Sequence, residues 1–397
     1  MEVGFDALAK KIDRATFLRD HFDKAPYVEQ GAVSNVEALF SWAKMNDLLE
    51  RPKLWDGRSM EMALNHKMLR PAEYMRPGIG RTGDQIMRPD RGKITHFLRE
   101  GATIVLDFLE GIDPEIAALT RCIERLTGTN TSCNVFCSWK AVPGYGSHFD
   151  TMDVFAVQIE GEKTWNLYDG RFPEATSVPG LRSTDFSPEK LNEMRGSVIK
   201  TVTMKPGDLL YIPRGVFHDA LATDQASLHL SFGATHSVGF TVVQMLGAEL
   251  QRDPYFRRKI PHFEDRAELD AYLKGIGQAL NGALADPKFG DFLVGYLKDR
   301  AFEKVMGYRF PERDSDQYFF VTRHTPDTVQ ERGRLIVKAR DGAVPLDPAD
   351  APMVDWILER EAFWLSELSA AHGGRGPAGE AALKALVAGR VLYPVQV

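Results

Sequence analysis

Six short apolar runs between residues 132 and 233 constrain the fold more than any other feature of this sequence. Each run has at most eight residues, is rich in Val, Ile, Phe and Tyr, and is bounded by Gly, Pro or Asp, which is typical of β-strands. The runs are SCNVFCSW, VFAVQIE, KTWNLYD, SVIKTVTM, DLLYIP and SLHLSFG. Only one clear helix, SPEKLNEMR, interrupts them. Many short strands without intervening helices predict an antiparallel sandwich or a jelly-roll barrel.

Helical patterns flank these strands on both sides. The first 130 residues mix helices and loops, and the stretch 71–90, rich in Gly, Pro and Arg, is predicted to be a long surface loop. After Thr235 apolar residues recur at three- and four-residue spacing, which predicts helices. From Tyr318 short strands, helices and a closing strand fit a small helix-plus-wing module. We therefore expect a mainly β core with helices (α+β), divided into residues 1–236, 237–306 and 307–397.

The pattern His, any residue, Asp or Glu occurs at 21–23, 148–150 and 262–264. With 10 His and 55 acidic residues in 397, chance alone accounts for one or two such triplets, so only the context of each is informative. The first triplet lies among charges at helical spacing, which predicts a solvated helix end. The third precedes a charged helix, and Glu264 is predicted to help cap it. Both are interpreted as structural.

The middle triplet follows Pro143-Gly144-Tyr145-Gly146 and enters a β-run. Residues two apart on a strand face the same way, so His148 and Asp150 are expected to point into one interior. An ionised Asp inside a barrel is costly unless it is paired or bound to a metal.

A third ligand is expected from His218. The run DLLYIP continues into Arg214-Gly215-Val216-Phe217-His218, and the turn Lys205–Asp208 before it would bring this strand antiparallel into the same barrel. Two imidazoles and one carboxylate would then leave about half an octahedron open, which is the facial triad of non-haem Fe(II) oxygenases. Zinc would also accept these ligands, so the metal stays open at this point.

Tight turns at Glu160–Glu162 and at Lys205–Asp208 are predicted to pair the β-runs on either side of them. Lys163 begins the run KTWNLYD, which the first of these turns would pair with VFAVQIE, so it is expected to lie next to the ligand strand. Its companions on the same face, Trp165 and Leu167, are apolar, so Lys163 is expected to point inward. A buried ammonium needs an anionic partner, and a small dicarboxylate held by the metal at one end and Lys163 at the other would provide one. The alternative is a turn lysine in solvent.

These residues resemble the JmjC/cupin 2-oxoglutarate oxygenases, whose domain is a double-stranded β-helix, and most closely their ribosomal-oxygenase branch. The matching segments are FLRDHFDKAPYV, NVFCSWKAVPGYGSHFDTMDVFAVQIEGEKTW, GDLLYIPRGVFHDALA and SLHLSFG. The resemblance implies a JmjC/cupin domain at 1–236, a helical dimerisation segment at 237–306 and a winged-helix-like module at 307–397. It also implies Fe(II), 2-oxoglutarate and O₂ as cofactor and cosubstrates, and hydroxylation of a side chain of a ribosomal or similar protein.

The resemblance also implies roles for individual residues. His148, Asp150 and His218 match the iron ligands. Lys163 matches the residue that binds the distal carboxylate of 2-oxoglutarate. Asn134 matches an amide that also contacts this cosubstrate. This sequence departs from the family pattern at one position. The family often has a polar residue that contacts the cosubstrate where this sequence has Gly233, and Ser231 or Thr235 is expected to make that contact instead.

Other functions stay open at this stage. The substrate could be a precursor peptide of a biosynthetic pathway or a free amino acid, or the chain could be a non-catalytic, metal-binding cupin scaffold.

Charge and composition exclude several partners. The net charge of −6 favours neither nucleic acid nor an anionic membrane, and GEAALKALVAGR in the tail offers only Lys384 and Arg390 for DNA phosphates. MEVGFDALAKKIDR lacks an apolar h-region, and no run of 18 apolar residues exists, so neither export nor membrane insertion is expected.

The cysteines indicate the compartment, and the helical segment indicates the oligomeric state. Three cysteines are too few for a disulfide framework, which predicts a reducing compartment, the cytoplasm; Cys133 and Cys137 are interpreted as buried packing thiols. Apolar residues between 238 and 306 exceed the needs of one covering face, which predicts a homodimer.

Overall fold

The computed structural model describes residues 4–80, 82–138, 145–222, 226–251, 253–301, 317–322, 326–339, 342–372 and 376–394. Its α-helices are α1 (Arg14–Asp20), α2 (Val36–Leu39), α3 (Trp42–Leu49), α4 (Pro71–Tyr74), α5 (Arg91–Glu100), α6 (Pro114–Thr127), α7 (Pro188–Met194), α8 (Gly239–Leu250), α9 (Arg266–Ala285), α10 (Pro287–Ala301), α11 (Ala351–Leu358), α12 (Leu365–His372) and α13 (Gly376–Ala388). The chain divides into two units, Met1–His236 and Ser237–Val397.

The strands of the first unit are β1 (Tyr27–Glu29), β2 (Met60–Leu64), β3 (Lys67–Met68), β4 (Met75–Ile79), β5 (Gln85–Pro89), β6 (Thr103–Leu106), β7 (Asn130–Ser138), β8 (Asp153–Glu160), β9 (Lys163–Arg171), β10 (Val198–Met204), β11 (Leu209–Ile212), β12 (Val216–Ala222) and β13 (Ser227–Thr235). Those of the second unit are β14 (Tyr318–Val321), β15 (Asp327–Glu331), β16 (Arg334–Ala339), β17 (Gly342–Leu346), β18 (Ala362–Trp364) and β19 (Leu392–Pro394).

Two antiparallel sheets form a barrel in the first unit. The larger has the order β1-β11-β8-β13-β7-β6-β2-β3, and the smaller has the order β10-β9-β12. Apolar side chains of both sheets form one shared interior cluster: Val154, Ala156, Trp165, Leu167, Val202, Met204, Leu210, Ile212 and Val216. This packing confirms the predicted jelly-roll barrel and the α+β class.

β8 shows why the larger sheet has no polar alternation in its sequence. Seven of its eight residues are buried. Val154 and Ala156 face the barrel interior, whereas Phe155 and Val157 face a second core that includes residues of the N-terminal helices. A strand covered on both faces therefore reads as one continuous apolar run.

The tight turns of the barrel connect different sheets. Gly161, with φ of +64°, lies in the turn after β8, yet β8 pairs with β11 and β13, and β9 pairs with β10 and β12. The turn Lys205–Asp208 likewise leads from β10 in the smaller sheet to β11 in the larger. The hairpins predicted at these turns are thus wrong, because a tight turn fixes only the local reversal of the chain and long-range packing selects the strand partner.

The stretch 71–90 is not a loop. It forms α4 and the hairpin of β4 and β5, whose register places Arg76 opposite Arg88. The Gly residues that suggested a loop close the hairpin: Gly83 N–H donates to the Gly80 carbonyl oxygen at 3.0 Å, and Gly83 has φ of +88°.

In the second unit α8, α9 and α10 follow one another in the chain, as predicted. The segment after them contains two three-stranded sheets, β18-β14-β19 and β15-β16-β17, around a core that includes Phe319, Val337, Ile357, Phe363 and Leu386. The predicted boundary at 306/307 lies outside the described residues. None of the helices in the described part of the chain has the length and hydropathy that a membrane crossing requires.

Candidate metal centre

His148, Asp150 and His218 lie together at one end of the barrel. The backbones of His148 and His218 exchange two hydrogen bonds, of 3.0 and 2.8 Å, and their ring centroids are 4.5 Å apart. Asp150 Oδ2 is 3.4 Å from His218 Nε2. One potential ligand atom from each of the three residues lies within 4.8 Å of the others. The structure thus brings together the three residues expected from the sequence.

Backbone carbonyls determine which imidazole nitrogens are available. His148 Nδ1 lies 2.8 Å from the Gly146 carbonyl oxygen, and His218 Nδ1 lies 3.0 Å from that of Val216. Because a carbonyl oxygen only accepts, each Nδ1 carries the proton and donates it. Each Nε2 is then a free lone pair, the arrangement of metal-ligating histidines.

The three side chains shift one another's pKa. Burial lowers the pKa of His148, and the neighbouring His218 lowers it further. Burial alone would raise the pKa of Asp150, but the close approach of His218 and the charges of both imidazoles bring the pKa below its usual value. Asp150 is therefore ionised at neutral pH, in the state that binds a cation.

Two local expectations are corrected. His148 forms an isolated bridge with His218, and β8 begins only at Asp153. His218 lies on β12, because the turn at Gly215 (φ of +77°) separates it from β11. The backbone N–H of Gly215 donates to the Asp150 carbonyl oxygen at 2.8 Å, so this turn joins the two ligand segments. Pro143 and Gly144 lie outside the described residues.

Asp23, from the first triplet, belongs to an ion-paired group. Its carboxylate lies close to Asp153 and His236, but it accepts hydrogen bonds from Arg171 (2.6 Å) and Arg214 (3.3 Å). Asp153 pairs with His236 at 3.1 Å. Because two guanidinium groups neutralise these carboxylates, we interpret the group as structural.

The remaining triplet residues are structural too. His21 follows the last residue of α1, and its ring packs 4.9 Å from that of Tyr27, so it is packed and not solvated as predicted. His262 and Glu264 are exposed. The residue that caps α9 is Asp265, which accepts from the Glu268 N–H, and not Glu264.

Lys163 points into the barrel, as expected. Its side chain is 6% exposed, and its Cα partners are Met204 and Ala222. Its ammonium donates a hydrogen bond of 3.4 Å to Ser138 Oγ, and among the described residues no carboxylate pairs with it. Burial lowers the pKa of Lys163 to about 8. A buried ammonium without an acid fits an anionic ligand.

Six aromatic and imidazole rings surround this interior in a closed circuit. Successive ring centroids lie 4.5 to 6.3 Å apart in the order Phe136, Tyr145, His148, His218, Trp165, His229 and back to Phe136. The Lys163 ammonium is 5.9 Å from the centroids of both Phe136 and Trp165. Sequence reasoning missed Phe136, Tyr145 and His229; the period-two alternation that pairs Ser231 with His229 could have found the last.

Asn134 and Ser231 face each other on paired strands. They are Cα partners of β7 and β13 and lie two residues from Phe136 and His229 respectively, hence on the same face. Gly233 lies further along β13, and a Cβ there would collide with the sulfur of Met152. Met152 thus occupies the space where the family often places a polar contact, and Thr235, the other expected substitute, is exposed.

The three cysteines are free and buried. Cys122, Cys133 and Cys137 lie in the apolar core outside the barrel interior. Burial raises the pKa of Cys122 to about 11 and that of Cys137 to about 12. The interpretation as packing thiols is confirmed.

Comparison with known domain families agrees with this geometry. Residues 110–241 match the family model described as the JmjC domain. This part of the chain, which contains most of the barrel and the His-Asp-His cluster, is therefore similar to JmjC domains.

Two curated relatives indicate which oxygenases this chain is similar to. Ribosomal oxygenase 1 of Danio rerio is 24% identical over 298 residues, which cover 73% of this chain and 50% of that protein. The bifunctional lysine-specific demethylase and histidyl-hydroxylase NO66 of Dictyostelium discoideum is 33% identical over 135 residues, 34% of this chain and 25% of that protein. The chain thus spans half or less of the length of these two curated relatives. The predicted resemblance to the ribosomal oxygenases is confirmed.

Among solved structures, YcfD, a ribosomal oxygenase from Escherichia coli, has a similar fold. It aligns with a TM-score of 0.55 at 15% identity and covers 98% of this chain and 99% of that chain. A second structure of YcfD is a complex with cobalt and 2-oxoglutarate, also with a TM-score of 0.55, at 16% identity.

The donor set can be compared with what an iron site requires. Two Nε2 atoms and one carboxylate fit a facial triad, which leaves positions open for further ligands. The unpaired ammonium of Lys163 fits the distal carboxylate of a keto acid. The described residues therefore fit Fe(II) and 2-oxoglutarate.

Proposed function

We propose that this chain is an Fe(II)- and 2-oxoglutarate-dependent oxygenase that hydroxylates a side chain of a ribosomal or similar protein. The observation that carries the proposal is the combination of a His-Asp-His cluster with a buried ammonium that has no acid partner among the described residues. A metal-binding scaffold would need only the first feature.

The chain's residues would hold and orient the reactants. His148, Asp150 and His218 would bind the metal through two Nε2 atoms and a carboxylate, and Lys163 would neutralise the distal carboxylate of 2-oxoglutarate. Asn134 and Ser231 would offer further polar contacts to the cosubstrate. When bound, iron and 2-oxoglutarate supply, with O₂, the chemistry that hydroxylates a C–H bond.

The barrel would keep this reaction dry. Trp165 and Leu167 are buried beside Lys163 and His218, and this apolar wall strengthens electrostatic interactions inside. The polar side chains of the smaller sheet, such as Thr164 and Thr203, bond to each other on its outer face. The two faces of one strand thus separate the reacting groups from solvent.

The names of the relatives support the proposed substrate class. Two of them are named ribosomal oxygenase, and one is named histidyl-hydroxylase, so they act on proteins. We test this class by mass spectrometry of ribosomal proteins from cells with and without the gene. A modified residue, heavier by one oxygen atom only when the gene is present, is expected. Modification of a free amino acid or of a precursor peptide alone would replace this substrate with one of the alternatives.

We also propose a homodimer formed through α8, α9 and α10. Phe240 and Val243 on α8, Leu273 on α9 and Phe292 on α10 are exposed, with Phe240 64% exposed, and no described residue of α9 is buried. Such apolar helical surface usually finds a partner, and a twofold dimer is the commonest closed solution.

The tail from residue 307 is proposed to be a winged-helix-like module that contacts protein or peptide and not DNA. Its cation Lys384 lies 4.0 Å from Glu380, which reduces the charge available for phosphates. The free cysteines support a reducing compartment, which we propose is the cytoplasm.

A further inference from the structure

His229 lies deep in the barrel interior and takes no part in the expected ligand set. It is 2% exposed, and its ring stacks on Phe136 with centroids 4.9 Å apart and planes at 12°. The ring of Trp165 meets it edge-on at 5.5 Å. Two aromatic neighbours therefore fix the position and the plane of this imidazole.

Buried polar nitrogen atoms lie around this ring. His229 Nδ1 and Trp165 Nε1 are buried and have no hydrogen-bond partner among the described residues, and the indole N–H can only donate. The Lys163 ammonium, 5.9 Å from the Trp165 ring centroid, has Ser138 Oγ as its hydrogen-bond partner among the described residues. A buried polar group without a partner costs about 1–3 kcal/mol. Two such groups beside a buried ammonium that has no acid partner among the described residues indicate a ligand that brings acceptors.

The charge of the pocket indicates the kind of ligand. Burial and the nearby Lys163 keep the pKa of His229 well below its usual value, so the imidazole is neutral at pH 7 and offers one N–H. The positive charge comes from Lys163, and the neutral N–H groups of Trp165 and His229 add directional donors. A carboxylate, with two oxygens and about four acceptor sites, matches one ammonium and two N–H groups.

Building on the proposed function, we propose that His229 and Trp165 bind the distal carboxylate of 2-oxoglutarate together with Lys163. His229 is then a specificity-determining residue, since the pocket distinguishes keto acids that carry a second carboxylate from those that do not. Without a bound anion, these buried polar groups would lack hydrogen-bond acceptors, which costs free energy.

The test measures binding without turnover. The full-length protein is loaded with Co(II), and its affinities for 2-oxoglutarate and for pyruvate, which lacks the distal carboxylate, are measured by calorimetry. His229→Phe keeps a ring that can stack but removes the N–H, and Trp165→Phe does the same for the indole. Each substitution is expected to weaken 2-oxoglutarate binding about 10- to 100-fold, because a hydrogen bond to a charged group is lost. Pyruvate affinity should stay unchanged.

His229→Gln serves as a donor-keeping variant and should retain most of the 2-oxoglutarate affinity. Equal losses for 2-oxoglutarate and pyruvate in His229→Phe would overturn the proposal, since they would show a structural role. An unchanged 2-oxoglutarate affinity in that variant would overturn it too, while the proposed function would stand. Failure of the wild-type Co(II) protein to bind 2-oxoglutarate at all would instead contradict the proposed function.

Discussion

Ser147 and Asp219, each the direct neighbour of a histidine of the candidate metal centre, are hydrogen-bonded to each other, with Ser147 Oγ 3.0 Å from Asp219 Oδ2. Asp219 also accepts from Tyr168 and from Asn166 Nδ2, the latter at 2.9 Å. Because neighbouring residues on a strand face opposite ways, this network lies on the other side of the sheet from His218. The hydrogen bond between Ser147 and Asp219 thus connects the segment of His148 to the strand of His218 from outside the barrel.

Asp219→Ala should weaken metal binding although Asp219 is not a ligand. Supporting residues of this kind change metal affinity by about 10- to 100-fold, and we expect a loss of that size in a Co(II) titration. Thr201→Ala is the matched control, since Thr201 bonds Asn166 at the exposed edge of the same network and should leave the affinity unchanged. Equal metal affinities of wild type and Asp219→Ala would show that the segments of His148 and His218 keep their positions without the hydrogen bonds of Asp219.

Lys163→Ala should weaken 2-oxoglutarate binding roughly 30- to 4,000-fold, because removal of one partner of a desolvated charge pair costs about 2–5 kcal/mol. Metal affinity should be largely retained. Calorimetry with the Co(II) protein measures both quantities. The interpretation of Lys163 as a cosubstrate ligand would be wrong if the affinity for 2-oxoglutarate did not change.

The affinity for 2-oxoglutarate should depend on pH through Lys163. Its pKa of about 8 means that the ammonium is present below pH 8 and lost above it, so affinity should be flat below pH 8 and fall by up to about tenfold per pH unit above. Cys137, whose pKa is raised to about 12, stays neutral in this range, as does His229. Lys163→Arg, which stays charged, should remove this pH dependence of the affinity. If the affinity of that variant declined equally steeply above pH 8, the pH dependence would belong to another group.

Lys163→Met should stabilise the ligand-free protein. Because burial lowers the pKa of Lys163 from 10.5 to about 8, the charged form opposes folding fully below pH 8 and not at all above 10.5. We expect the free energy of unfolding at pH 7 to rise by up to roughly 3 kcal/mol, since one pKa unit corresponds to about 1.4 kcal/mol. Denaturant unfolding at pH 7 and pH 9.5 measures the gain, which should shrink at the higher pH. A gain independent of pH would exclude the charge as its cause.

The dimer proposal concerns the exposed apolar residues of α8 and α10. Phe240→Glu combined with Phe292→Glu should convert an 89-kDa assembly, twice the chain mass of 44.5 kDa, into a monomer in light scattering at micromolar concentration. Ile79→Glu is the control, because Ile79 is 81% exposed but lies in the hairpin of β4 and β5. A wild-type chain that scattered as a monomer would refute the dimer.

The sequence predicted the site better than it predicted the strand pairing. Lys163 was recognisable because period-two alternation fixes the face of a side chain on a strand. His148 and Asp150 lie before β8 and meet His218 through an isolated bridge, so strand alternation does not explain their position. The partners of β8 and β9 were predicted wrongly, since turn length does not distinguish a hairpin from a crossing between sheets. His229 was missed because a lone histidine in an apolar run is usually a core residue, and only its unpaired nitrogen in three dimensions singles it out.

The most direct measurement is the formation of succinate from 2-oxoglutarate in air by the Fe(II)-loaded protein, compared among wild type, Asp150→Ala and His262→Ala. The account predicts iron-dependent succinate with wild type and His262→Ala, and none with Asp150→Ala, because only the middle triplet lies beside His218. Succinate formation by Asp150→Ala at the wild-type rate, or none by the wild type, would contradict it.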